Sequence, residues 1–183
     1  MEAVQNSKTQ DIVYIGMFVV LIAICSWISI PTAVPFTLQT FGVFMAVETL
    51  GGKRGTMAVL VYILLGALGI PVFAGFSGGM GVLLGSTGGY IIGFILSALT
   101  IWGIENAFGN SKVVTAAAML SGLLVCYLFG TVWFMTVYTR GGNQASLFTI
   151  LTWCVFPFII PDLAKIGMAL FLAPRIRRAA DIR

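Results

Sequence analysis

The sequence predicts an all-α integral membrane protein with six transmembrane helices. Three observations carry that prediction. Of 183 residues, 59% are apolar and only 9% are charged, against roughly 25% charged in soluble domains. Mean hydropathy is +1.04. The apolar residues form long unbroken runs, whereas a membrane barrel would alternate apolar and polar side chains over about ten residues per strand. A spanning helix takes about 20 residues, so this length holds about six spans and no separate soluble domain. The expected organisation is one transmembrane domain over residues 1–183, with short tails at about 1–10 and 175–183.

The first run is Ile12 to Ile30, opened by Asp11 and closed by Pro31. No small-residue cleavage site follows it, so it reads as a retained span rather than a signal peptide. Residues 32–38 form a loop. The second run is Gln39 to Leu50, ended by Gly51-Gly52-Lys53-Arg54. The third runs from Gly55 to about Ile70 and stops at Pro71. Residues 72–89 are rich in glycine and read as a loop, not a helix. The fourth run is Tyr90 to about Phe108, and 109–112 is a turn. The fifth is Val113 to about Tyr138, followed by a polar segment to Ala145 containing Arg140. The last stretch reaches Ala173 and holds Pro157 and Pro161. Pro161-Asp162 resembles a helix start, because proline suits the first helical position and an acid suits the first turn. A helix from Pro161 to Ala173 covers only about 20 Å. The last span is therefore expected to be broken at proline.

Basic residues set the orientation. With a cytoplasmic N-terminus and six spans, Lys8, Lys53, Arg54, Lys112, Arg175, Arg177, Arg178 and Arg183 fall inside. Only Arg140 falls outside. Both termini are thus expected on the cytoplasmic side. The net charge of +4 is then a topology signal and calls for no nucleic-acid partner.

Some chemistries are excluded. The chain has no histidine, which removes histidine catalysis and histidine metal sites. Cys25, Cys126 and Cys154 lie in apolar runs, form no CxxC and read as small buried hydrophobes. A phosphate loop needs G-x-x-x-x-G-K-[ST]. Before Gly52-Lys53 the leading glycine position is Val47, and Arg54 replaces the hydroxyl residue. Energy for uphill transport would have to come from elsewhere.

Ionisable groups inside a membrane are costly and mark function. Asp162 and Lys165 are three residues apart and share a helix face. They read either as a self-neutralising pair or as the polar wall of a pocket, and the two are compatible. Glu48 reads as a structural partner of Lys53 and Arg54. The glycine-rich stretch Phe76 to Tyr90, the 32–38 loop and the Pro161 region fall on one side. Irregular backbone at membrane depth is tolerated where it is buried or lines a cavity, so a solute pocket is expected there.

Five motifs then match a known family in order and spacing. They are V-P-F-T-L-Q-T (Val34 to Thr40), G-G-K-R-G (Gly51 to Gly55), Y-I-L-L-G-A-L-G-I-P-V-F-A-G (Tyr62 to Gly75), G-G-M-G-V-L-L-G-S-T-G-G-Y-I-I-G-F (Gly78 to Phe94) and P-D-L-A-K (Pro161 to Lys165). Over about residues 12–173 the chain resembles the BioY family, the biotin-specific substrate-binding (S) components of energy-coupling factor transporters. The resemblance implies an S-component-like six-helix fold with irregular outer loops, in a bacterial cell (inner or plasma) membrane, and no enzyme activity. It implies biotin as substrate, no cofactor, and as partners a transmembrane coupling (T) protein and an ATPase pair.

Carried onto this sequence, the resemblance assigns Asp162 to accept from the ureido N–H groups and Lys165 to donate to a ligand oxygen. Backbone around Gly85, Gly88 and Gly89, with Thr87 and Tyr90, would meet the ligand's polar ends. Thr37 and Gln39 would close over it. Two positions depart from the family pattern. Ser86 stands where the loop usually has proline, and the first helix has Gly16 followed by Val20 and Ala23 by Trp27 instead of a small-xxx-small pair. The alternatives are an S component for another vitamin such as thiamin or riboflavin, a membrane scaffold without solute, and an intramembrane enzyme. The missing histidine, and the lack of a second carboxylate near Asp162, argue against the last.

Overall fold

A computed structural model describes residues 2–31, 34–142 and 145–182. Its elements are α1 (Glu2–Trp27), β1 (Ser29–Ile30), β2 (Phe36–Thr37), α2 (Gln39–Leu50), α3 (Gly52–Ala67), a 3-10 turn (Ala74–Phe76), α4 (Met80–Leu84), α5 (Gly88–Phe108), α6 (Lys112–Arg140), α7 (Leu147–Cys154) and α8 (Phe156–Ala179). The protein is nearly all helical. β1 and β2 pair antiparallel, with Ser29 opposite Thr37 and Ile30 opposite Phe36.

Among the described residues, four segments are long and apolar enough to cross a membrane: Lys8–Trp27, Gly88–Phe108, Lys112–Arg140 and Phe156–Ala179. The expected second and third spans are shorter. At 1.5 Å per residue α2 covers about 18 Å and α3 about 24 Å, both less than a hydrocarbon core of roughly 30 Å. α2 is instead a central helix. Nine of its twelve residues are buried, and it packs on α1, α3, α5 and α8. A helix apolar on every side can be a core helix as well as a span, which is why the run read as a span.

Three further boundaries differ from expectation. The first helix starts ahead of the expected run at Ile12, since α1 begins at Glu2. The glycine-rich stretch is not loop throughout, because it carries the 3-10 turn and α4. The last apolar stretch divides at Val155, not at Pro161. Pro157 occupies the first turn of α8, where no N–H has an intrahelical partner. Pro161 then lies inside α8, at the loss of one backbone hydrogen bond. Thr32 and Ala33 of the first loop, and Asn143 and Gln144 of the polar segment after Arg140, lie outside the described residues.

Small residues let α5 and α6 pack closely, as is common between membrane helices. A side chain at Gly122 would meet Ser97 and Ile101, and one at Gly93 would meet Cys126. Polar contacts gather the chain ends at one end of the bundle. Tyr14 Oη donates to the Ala180 carbonyl at 3.1 Å. Arg54 pairs with Asp11 at 3.0 Å. Arg177 donates to the carbonyls of Glu48 and Thr49, the latter at 3.0 Å. Glu48 Oε2 is buried with no hydrogen-bond partner among the described residues, and Thr115 reaches the Glu105 carboxyl at 3.3 Å.

Candidate functional site

The opposite end of the bundle holds the β1–β2 hairpin, the segment 71–87 and the start of α8. There the chain encloses a cavity of about 130 Å³. A single water needs about 10–15 Å³ by the same kind of measure, so this space takes a small solute. Its walls are mainly apolar, with Val34, Pro35, Phe73, Phe94, Ile91 and Phe158 among them. A few polar groups converge on it, which is the usual composition of a ligand pocket.

Asp162 and Lys165 form that polar cluster. They are 2% and 3% exposed and stand 2.7 Å apart (Lys165 Nζ to Asp162 Oδ1). α8 places them one turn apart on one face. Thr40, in the first turn of α2, donates to Asp162 Oδ1 at 2.9 Å and accepts from Lys165 Nζ at 3.0 Å. Tyr127 of α6 donates to Asp162 Oδ2 at 2.5 Å. Lys165 also donates to the Thr37 carbonyl at 2.6 Å, and its ammonium lies 5.0 Å from the centre of the Phe36 ring. Phe36 stacks on Phe158 at 5.4 Å. A buried ion pair is tolerable only when further hydrogen bonds satisfy it, and here three other elements, β2, α2 and α6, supply them.

A carboxylate offers about four lone-pair sites, and an ammonium three donors. Thr40, Tyr127 and Lys165 fill three sites on Asp162, leaving one without a partner among the described residues. The three Lys165 donors go to Thr37, Thr40 and Asp162. Of these three partners the Thr37 carbonyl, on the hairpin, is the one outside the Asp162–Thr40 triangle. The two side chains are thus paired with each other and also line the cavity.

Of the residues expected at the site, Thr37, Gln39, Thr87, Tyr90, Asp162 and Lys165 line the cavity. Gln39 is buried and donates to Tyr62 Oη at 2.8 Å, and Tyr62 in turn donates to the Val72 carbonyl at 3.0 Å. Tyr90 shares a hydrogen bond with Thr131 at 3.1 Å.

Gly85, Gly88 and Gly89 are not among the lining residues. The Gly85 carbonyl accepts from Trp133 Nε1 at 3.0 Å. A Cβ at Gly88 would sit 1.8 Å from the Leu83 carbonyl oxygen, and one at Gly89 2.2 Å from Trp133 Cβ. These glycines allow α5 to start tight against α4 and α6, which positions Thr87 and Tyr90. Thr40 and Tyr127 were missed. A threonine beside Gln39 and a tyrosine within an apolar helix carry no formal charge, so a search for intramembrane charges passes over them.

The fold and site together define a helical membrane protein with a solute-sized pocket built around a buried ion pair. Residues 1–182 match the BioY family, and the chain belongs to it. It is 41% identical over 171 residues to the probable biotin transporter BioY of Pyrococcus horikoshii, covering 93% of this chain and 98% of that protein. It is also 41% identical over 170 residues to the biotin transporter BioY of Thermotoga maritima, covering 92% and 96%. The crystal structure of the S-component for biotin from an ECF-type ABC transporter superposes with a TM-score of 0.83 at 26% identity, covering 94% of this chain and 93% of that one.

Proposed function

We propose that this protein binds biotin and is the substrate-binding S component of an energy-coupling factor transporter. A transmembrane coupling protein and an ATPase pair energise it. The observation that carries this reading is the Asp162–Lys165 pair, buried at the wall of the cavity with Thr40 and Tyr127 around it. Biotin has complementary chemistry: a ureido ring with two N–H donors and a carbonyl, an apolar thioether ring, and a valerate carboxylate. The open acceptor site on Asp162 takes a ureido N–H. Lys165 turns from the Thr37 carbonyl to a ligand oxygen. Phe36, Phe158, Phe73 and Phe94 enclose the ring system. Thr37, Gln39, Thr87 and Tyr90 contribute polar contacts, while Gly85, Gly88 and Gly89 act through packing.

The whole chain works as one transmembrane unit of the plasma membrane, crossing it several times, with both termini cytoplasmic. Its role is binding and delivery rather than catalysis, without a cofactor or nucleic acid. The clustering of Asp11, Arg54, Ala180 and Arg177 contacts at one end supports a common side for the termini, and the cavity then opens outward.

A vitamin panel tests the assignment. Biotin should raise the melting temperature of the detergent-purified protein, with thiamin and riboflavin silent. A shift with another vitamin and none with biotin would move the protein to a different specificity.

A further inference from the structure

A second concavity lies on the outside of the bundle, between α4 and the last turns of α6. Its volume is about 450 Å³. Leu84 forms one wall, and Phe129, Val132, Trp133 and Val137 form the other. Thr136 joins them, but its hydroxyl donates to the Val132 carbonyl at 2.8 Å, so it adds a methyl surface. These α6 positions recur every three or four residues and make one stripe. Leu84 is 61% exposed and Val132 66%, so the groove faces the surroundings of the bundle. Arg140, the last residue of α6, closes it at the cavity end of the molecule.

Arg140 is exposed and forms no ion pair among the described residues. α6 has 29 residues and covers about 43 Å, more than a hydrocarbon core of roughly 30 Å. Arg140 thus reaches the headgroup layer while the stripe below it lies at acyl-chain depth. An apolar trough ending in one unneutralised cation is the complement of a lipid with an anionic headgroup.

We propose that this groove holds one anionic phospholipid from the leaflet on the Arg140 side, its acyl chain along Phe129 to Val137 against Leu84 and its phosphate on Arg140. The lipid would abut the solute cavity through one side chain. Trp133 stacks in a tilted pair with Phe129 at 6.2 Å on the groove side, and its Nε1 holds the Gly85 carbonyl ahead of Thr87 and Tyr90.

The test is native mass spectrometry of delipidated full-length protein titrated with phosphatidylglycerol or phosphatidylcholine. It reads lipid retention independently of any solute. One phosphatidylglycerol per chain should be retained, about fivefold more tightly than phosphatidylcholine, the scale of one basic residue at an anionic surface. Arg140→Gln should erase the preference. Val132→Trp, at an exposed position, should block retention of both lipids. Equal retention of the two lipids by the unaltered protein, or a preference that survives Arg140→Gln, would overturn the proposal. So would a protein dimer that Val132→Trp dissociates while lipid retention stays unchanged, since the groove would then seat a second copy.

Discussion

Tyr127 donates its hydroxyl to Oδ2 of Asp162 at 2.5 Å, across 35 residues of sequence. This bond ties α6 to α8 at the cavity. A hydrogen bond to a charged group is worth about 1.5–3 kcal/mol. Tyr127→Phe keeps the ring and deletes that donor. Biotin affinity should fall about ten- to a hundredfold, measured by equilibrium binding, and unchanged affinity would remove Tyr127 from the site.

Lys165 should matter on the same scale. Lys165→Ala strands a buried carboxylate and deletes the donor offered to the ligand, so affinity should again fall about ten- to a hundredfold. Removing one partner of a buried pair also costs about 3–5 kcal/mol of stability, so the melting temperature should fall with it. A variant that melts lower yet binds biotin normally would reduce the pair to a structural role.

Thr40 is both donor to Asp162 and acceptor from Lys165. Thr40→Val preserves shape and loses both bonds, whereas Thr40→Ser keeps them. The valine variant should weaken binding at least about tenfold, and the serine variant should bind close to normally. Equal binding by both variants would show the hydroxyl to be dispensable.

The glycines before α5 separate packing from ligand contact. Gly89→Ala places a methyl 2.2 Å from Trp133 Cβ and should lower stability by about 1–3 kcal/mol. Gly81→Ala, in α4, meets nothing within 4 Å and should be neutral or stabilise by about 0.5–1 kcal/mol. Thermal melting of the two proteins distinguishes them. Equal melting temperatures would contradict the close approach of α5 and α6.

Much of this was legible in the sequence because membrane insertion enforces simple rules. The scarcity of charge exposed the class, and the rarity of ionisable residues at membrane depth singled out Asp162 and Lys165. Their cavity position follows from the same cost that made them conspicuous. The helix count was harder. α2 is apolar because it is buried in protein, and apolarity alone does not separate that from burial in lipid. Pro161 misled because a proline-acid pair also fits inside a helix that Pro157 has already begun. Glycine identity announced a close approach but not its partner. Gly89 turned out to face Trp133, 44 positions along the chain, rather than the solute. Thr40 and Tyr127 were hidden because a hydroxyl becomes functional only through the tertiary contact that places it.

The central claim is that biotin is held at the Asp162–Lys165 cavity. Its most direct test is equilibrium binding of radiolabelled biotin to the purified protein in detergent, without partner proteins, beside Asp162→Asn. The account predicts saturable binding at one site per chain, displaced by unlabelled biotin and weakened about ten- to a hundredfold in the variant. Folded protein that binds no biotin, or an Asp162→Asn variant that binds it equally well, would contradict it.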